Sequence, residues 1–294
     1  MSSEIESSDI EASHNIAVPI REFNFNQLAD IYNRARVDYI VPMPMNGKRM
    51  EDYIRAYDIS LDASLVAMDS QDQVPNGISM LGLRDTRSWI TRLGVIPERR
   101  RRHTAEFLMR QHISDSQKRD CRLIQLEVIK GNEPAYRLFL KLGFVETREL
   151  LVIRRAPSKL IPELMPEENA NFEMIDDQAH LLQMLRTRDD QPSWVEETAS
   201  LQNAGNLRGL WLRLPEGEEG WLIFQKTPFQ LTHFVFSTHA SASLRRALLA
   251  QVHHIYSMMD TKIENIPAEH PTWASYQQFG YVEAFRRREM VLYL

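Results

Sequence analysis

The chain matches itself. Laid down without a gap, Pro134-Ala135-Tyr136 through Gly143-Phe144-Val145-Glu146 runs over Pro271-Thr272-Trp273 through Gly280-Tyr281-Val282-Glu283, and at the same offset Leu126-Glu127 meets Ile263-Glu264. Repeats of more than a hundred residues are too long for a solenoid unit, so the pattern predicts a tandem duplication of one domain. The length agrees. A chain of 294 residues, 43% hydrophobic and 26% charged, has the composition of a globular protein and can bury two cores of ordinary size.

Residues 1–15 are rich in Ser and acidic side chains, with Glu4, Glu6, Asp9 and Glu11 before the first basic residue, Arg21. They read as a disordered extension. Setting that extension aside takes most of the formal charge of -5 with it, and the remaining body is close to neutral. There is no basic start followed by an apolar run, so no signal peptide is read, and no run approaches the ~18 to 20 apolar residues of a membrane helix. Cys121 is the only cysteine, which excludes an intramolecular disulfide and a Cys-based zinc cluster. A reducing cytoplasm is the expected compartment. His253 and His254 are adjacent, and on a helix they point about 100° apart, so no metal site is expected from them.

Periodicity and turn residues divide the rest into a first domain at residues 16–156, a Pro-containing linker at 157–170, and a second domain at 171–294. In the first, strands are predicted at 16–23, 64–69, 77–84, 89–95 and 122–129, with closing strands within 144–155. Helices are predicted at 26–35, 47–57, 103–116 and 133–142. The second repeats the plan, with strands at 172–175, 207–214, 220–225 and 231–237 and helices at 179–186, 194–201 and 242–258. The fold class is α/β with a mixed sheet and helices on both faces.

Residues 89–144 carry the chemistry. A strand-like run ends in Leu93-Gly94-Val95, Pro97 and four arginines at 99–102 follow, and a helix begins near Ala105. A helix N-terminus has unpaired amides and a partial positive charge, so a loop entering a helix after a strand is a ready anion site. Asn132-Glu133-Pro134-Ala135, Leu138-Phe139 and Gly143-Phe144 come later in the chain. This ordered set resembles the cofactor half of the GNAT superfamily of N-acetyltransferases. The resemblance implies two tandem GNAT-type acyl-CoA N-acyltransferase domains.

It also implies acetyl-CoA as cofactor. The family's phosphate-loop frame reads Arg100-Arg101-Arg102-His103-Thr104-Ala105 here, and His103 stands where the family's first glycine is usual. Main-chain groups of Leu93 and Val95 are expected to hold pantetheine at the edge of a strand that splays from its parallel neighbour, and Asn132 to orient the pantetheine arm. Phe139 occupies the position that commonly carries a proton-donating Tyr; Tyr136, three residues earlier on the same helix face, is the candidate acid. Glu127 is the candidate base, ahead of Glu51, Asp52 and Asp58, and residues 41–45 are a candidate lining for the acceptor.

The copies diverge at the cofactor positions. Residues 237–244 lack the arginines and the small-residue spacing, Glu269 replaces Asn132, and Tyr276 falls at the position of Phe139. The second copy is therefore expected to be a degenerate one that does not bind CoA. The functional expectation is an acetyl-CoA-dependent N-acetyltransferase acting on a primary amine of a small molecule or peptide. The alternative is an inactive GNAT-like pseudoenzyme serving as a CoA-responsive or protein-binding module. Nucleic acid is not an expected partner, because the charge balance is not basic and no aromatic platform interleaves the arginines. A membrane partner is not expected either, and a homo-oligomer is left open.

Overall fold

The computed structural model describes residues 15–166 and 171–294. Most of the expected tail and residues 167–170 of the expected linker lie outside them. The chain forms two compact units. One contains residues up to Ile54, Asp58–Leu126 and Leu292–Leu294, and the other Arg55–Tyr57 and Glu127–Val291.

In the first unit the strands lie in the order β1 (Asn15–Pro19), β2 (Leu65–Asp69), β3 (Pro75–Arg84), β4 (Arg87–Val95), β5 (Leu123–Ile129), with the last three residues of β5 belonging to the second unit. The pairs are antiparallel until β4 meets β5 in parallel. Helix α1 (Phe25–Ala35) starts where the sequence dictates. The Asn24 side chain accepts from the Gln27 amide and the Gln27 side chain accepts from the Asn24 amide, a reciprocal cap contributing about 1 kcal/mol. Its buried Leu28, Ile31, Tyr32 and Ala35 follow helical spacing. Strand β3 is buried almost continuously, as a strand covered on both faces must be, and both α1 and α3 (Thr104–Lys118) contact it. Helix α2 (Gly47–Ala56) runs between α1 and β2.

The second unit orders its strands β12 (Val282–Tyr293), β6 (Val145–Arg155), β11 (Asp260–Pro267), β10 (Gln230–Phe236), β9 (Glu219–Lys226), β8 (Leu207–Arg213), β7 (Asn171–Ile175). The expected closing strands of 144–155 are one long strand, β6, which pairs antiparallel with both β11 and β12. Its Leu151 and Ile153 join a core of residues from β8, β9, β11 and α7 (Ala242–Ile255), so ending the chain near Pro157 would strip β6 of both neighbours. Helices α4 (Glu133–Lys141), α5 (Gln178–Leu185), α6 (Thr198–Ala204) and α8 (Thr272–Gln278) complete the unit.

The repeat seen in sequence is a repeat of elements. Strands β5 and β11, and β6 and β12, begin the same number of residues apart. The helix expected at 194–201 is not continuous. A 3-10 turn at Trp194–Glu196 stops at Glu197, whose extended backbone (φ -65°, ψ 150°) breaks the spiral before α6. Trp194 explains the break: it is fully buried and its indole N–H donates to the Tyr57 carbonyl at 2.9 Å, an anchor a regular helix would rotate away. Among the described residues, no helix is long and apolar enough to cross a membrane.

Candidate cofactor and acceptor site

In the first unit, β4 and β5 pair from Arg87↔Leu123 to Ile90↔Leu126, and the ladder stops there. On its other side β4 stays paired with β3, through a register shift between Ile78 and Met80. Arg92 lies in that bulge with left-handed φ of 56°. Leu93 and Val95 thus sit on a stretch of β4 with no ladder to β5. The Leu93 carbonyl accepts from Arg36 at 3.5 Å and the Val95 carbonyl from Arg100 Nε at 3.3 Å.

The chain then makes a 3-10 turn at Pro97–Arg99 and enters α3 through two left-handed residues, Arg101 (φ 63°) and His103 (φ 55°). His103 takes the conformation that glycine favours, at a cost of roughly 1–2 kcal/mol for a residue with a Cβ. Its imidazole does not cap the helix and is 78% exposed. The first amide to close the helical ladder is that of Phe107, donating to the His103 carbonyl. Helix geometry leaves the amides of Thr104, Ala105 and Glu106 without intrahelical acceptors. Asn15 holds this entrance in place: it donates to the Arg102 carbonyl and accepts from Thr104 Oγ1 and Asn76 Nδ2.

The four arginines divide. Arg100 grips Asp38 with two bonds of 2.6 and 2.7 Å, and that bond holds the Asp38 carboxyl below its usual range. Arg99 and Arg102 both reach the buried Asp69, at 3.4 and 3.2 Å, and Arg99 also binds Asp72. Arg101 makes no ion pair among the described residues. Sequence spacing could not distinguish these four, because Asp38 and Asp69 lie far from them in the chain.

A cluster the sequence reading missed lies beside the bulge. The Arg92 guanidinium stands 4.1 Å over the Tyr53 ring and donates to the Tyr32 hydroxyl at 3.0 Å, while Arg36 stacks 3.4 Å over Tyr39. Met43 belongs to it, its sulfur 3.7 Å from Arg92. The available signal was Tyr32 near the end of α1 and Arg36 four residues on, at its C-cap. Glu51 and Asp52 pair with Lys48 on α2, and Asp58 pairs with Arg84.

The remaining expected residues lie in the second unit. Asn132 caps α4, accepting from the Ala135 amide at 3.4 Å. Tyr136 donates its hydroxyl to Glu146 at 3.1 Å and lies under the Arg288 guanidinium; the hydrogen bond to Glu146 raises its pKa. Phe139 is buried, its ring 6.1 Å from that of Phe144. Glu127 is half-buried on β5. His253 is buried with Nε2 2.9 Å from the Tyr281 hydroxyl, whereas His254 is exposed.

Comparison with known proteins agrees with this geometry. Residues 27–144 match the model of the acetyltransferase (GNAT) family. No curated protein matches the chain. Among solved structures, a GCN5-related N-acetyltransferase from Sphaerobacter thermophilus superposes with a TM-score of 0.73 at 14% identity, covering 95% of this chain and 96% of that one. A tandem GNAT protein from the clavulanic acid biosynthesis pathway gives 0.65 at 14% identity, covering 95% and 98%. Residues 27–144 thus carry the match to the acetyltransferase (GNAT) family, within a chain that has the fold of a tandem GNAT protein.

Proposed function

We propose that this protein is an acetyl-CoA-dependent N-acetyltransferase acting on a primary amine of a small molecule or peptide, with the pyrophosphate of the cofactor held by the first unit. The observation that carries the reading is the entrance to α3. Left-handed turns at Arg101 and His103 precede three amides without helical acceptors, and Arg101 has no ion pair among the described residues. These donors fit a pyrophosphate, giving amide and charge-assisted guanidinium bonds at the positive end of a helix. The His103 side chain is itself exposed and caps none of these amides.

Leu93 and Val95 hold pantetheine through their main chain in this proposal, which the end of the β4–β5 ladder at Ile90 supports. Asn132 orients the pantetheine arm, and Phe139 packs as the apolar residue at the family's acid position. When bound, acetyl-CoA supplies a thioester carbonyl and a thiolate leaving group. Tyr136 is the proton donor; like any phenol its hydroxyl carries a proton at neutral pH. Glu127 takes the proton from the amine. The second copy does not take CoA, and the protein works in a reducing, cytoplasmic compartment.

The test is calorimetric titration of the full chain with acetyl-CoA, followed by thiol release across a panel of amines. Micromolar binding with turnover on at least one amine is expected. Absence of binding sinks the cofactor reading, and binding without turnover on any amine moves the protein to a CoA-responsive module.

A further inference from the structure

The second unit contains a pocket of about 690 Å³ at the place where its two parallel strands part. Strands β10 and β11 pair only at Gln230↔Asp260 and Leu231↔Thr261, and register shifts then interrupt β10 between Thr232 and Val235 and β11 between Ile263 and Ile266. Residues beyond those shifts line the opening. Its size is that of a small-molecule site.

The helix start beside it is closed to phosphate. Ser241 caps α7 through the Leu244 amide, and the Glu218 carboxylate receives both the Ser241 amide (3.0 Å) and its hydroxyl (2.6 Å). A carboxylate thus already occupies the anion position, and a pyrophosphate there meets like charge.

Three arginines and five carboxylates line the pocket. The arginines are engaged: Arg148 binds Glu289, Arg188 binds Asp190, and Arg245 donates to Ala240 and Ser275. Glu269 has no ion pair among the described residues. Tyr276 is 2% exposed, lines the cavity, and its hydroxyl has no hydrogen-bond partner among the described residues. The hydroxyl is thus available to a bound acceptor. Its ring and that of Phe236, 5.9 Å apart, give the cavity an aromatic wall.

We infer that this pocket is a second ligand site, separate from the cofactor loop, that takes a small organic cation: a primary ammonium on an apolar or aromatic body, without phosphate. Glu269 neutralises the ammonium, Tyr276 contributes a hydrogen bond from the cavity wall, and the aromatic wall packs the body. The inference does not depend on CoA binding by the first unit.

The test uses three probes with one body and different charge: phenethylamine, phenethyl alcohol and phenylacetate, titrated calorimetrically into the full chain. Phenethylamine is expected to saturate, the alcohol to bind about tenfold more weakly, and the acid not to bind. Glu269→Gln, at an exposed position, and Tyr276→Phe, which keeps the ring, are each expected to weaken phenethylamine about fivefold or more. Acetyl-CoA titrated in parallel should be unaffected by either change. Equal binding of all three probes overturns the proposal, as does no saturable binding of the amine. An amine affinity that Glu269→Gln and Tyr276→Phe both leave unchanged also overturns it, since the amine is then held elsewhere.

Discussion

The starts of α3 and α7 follow the same plan, a strand leading through a loop into a long helix, and they are finished in opposite ways. At α3 the capping position is held by His103, which caps nothing, and the loop is tied down around the entrance by Asn15, Asp38 and Asp69 rather than across it. At α7 a serine caps the helix and a glutamate fills the space in front of it. A helix start that must bind an anion has to leave its own donors unpaired, and the stability lost there must come from surrounding contacts. In the proposed function α3 meets that demand, and the α7 start shows the same plan with its donors already satisfied.

The largest effect that would break this comparison is on binding. Arg101→Glu is expected to weaken acetyl-CoA by about a hundredfold by calorimetry, because it removes one charge-assisted contact and adds repulsion. Arg100 and Arg102 are poorer probes, since reversing either also breaks an ion pair with Asp38 or Asp69. If Arg101→Glu binds like the parent chain, the α3 start is not the phosphate site.

Next comes Ser241→Ala, which should lower stability in urea by about 1 kcal/mol, the usual loss of a serine cap, with acetyl-CoA affinity unchanged. A matching loss of acetyl-CoA affinity would show that α7 also serves the cofactor. His103→Gly sharpens the contrast from the other side. Relief of the left-handed backbone should raise stability by up to about 1 kcal/mol, less the added freedom of glycine when unfolded, with affinity equal or tighter. A large loss of affinity would mean that the imidazole itself contacts the cofactor.

The smallest effect is a pH dependence within the second unit. Burial alone would lower the pKa of His233, but the charge and hydrogen bond of Glu196, 2.9 Å away, overcome it and raise it. With a folded pKa above the unfolded one, this stabilisation is complete below about pH 6.5 and is lost as pH rises through the folded value. His112 in the first unit has the reverse sign. Burial lowers its pKa to about 4, so its contribution is present above about pH 6.5 and falls away as the solution is acidified. Urea melts from acid to mildly alkaline pH should therefore show a loss at the alkaline end that Glu196→Gln removes and His112→Gln does not. A profile that Glu196→Gln leaves unaltered would separate His233 from that loss.

Much of the fold could be read along the chain because it is written in local chemistry. The Asn24–Gln27 capping pair, the burial spacing of α1, and Asn132 followed by Pro134 at the start of α4 each specify an element boundary within a few residues. The segment 194–201 misled because its helical periodicity is real but local, whereas Trp194 is placed by a bond to Tyr57, far away in sequence. The single strand β6 was hidden for a related reason: an apolar run shows that it will be buried, but not which strands it will lie between.

By itself, then, the sequence determined the duplication and the order of elements, and through the family resemblance it marked the loop where His103 replaces a usual glycine. These depend on residue type and on neighbours a few positions away, where propensity and periodicity act. Only the tertiary structure decided which arginines are spent on Asp38 and Asp69, how Arg92 and Arg36 come to stand over tyrosines, where β6 finds its partners, and that Glu218 closes the start of α7. Those outcomes depend on charges and surfaces brought together from distant parts of the chain, and the energy of an ion pair or a packed face exists only once the fold has set the distance.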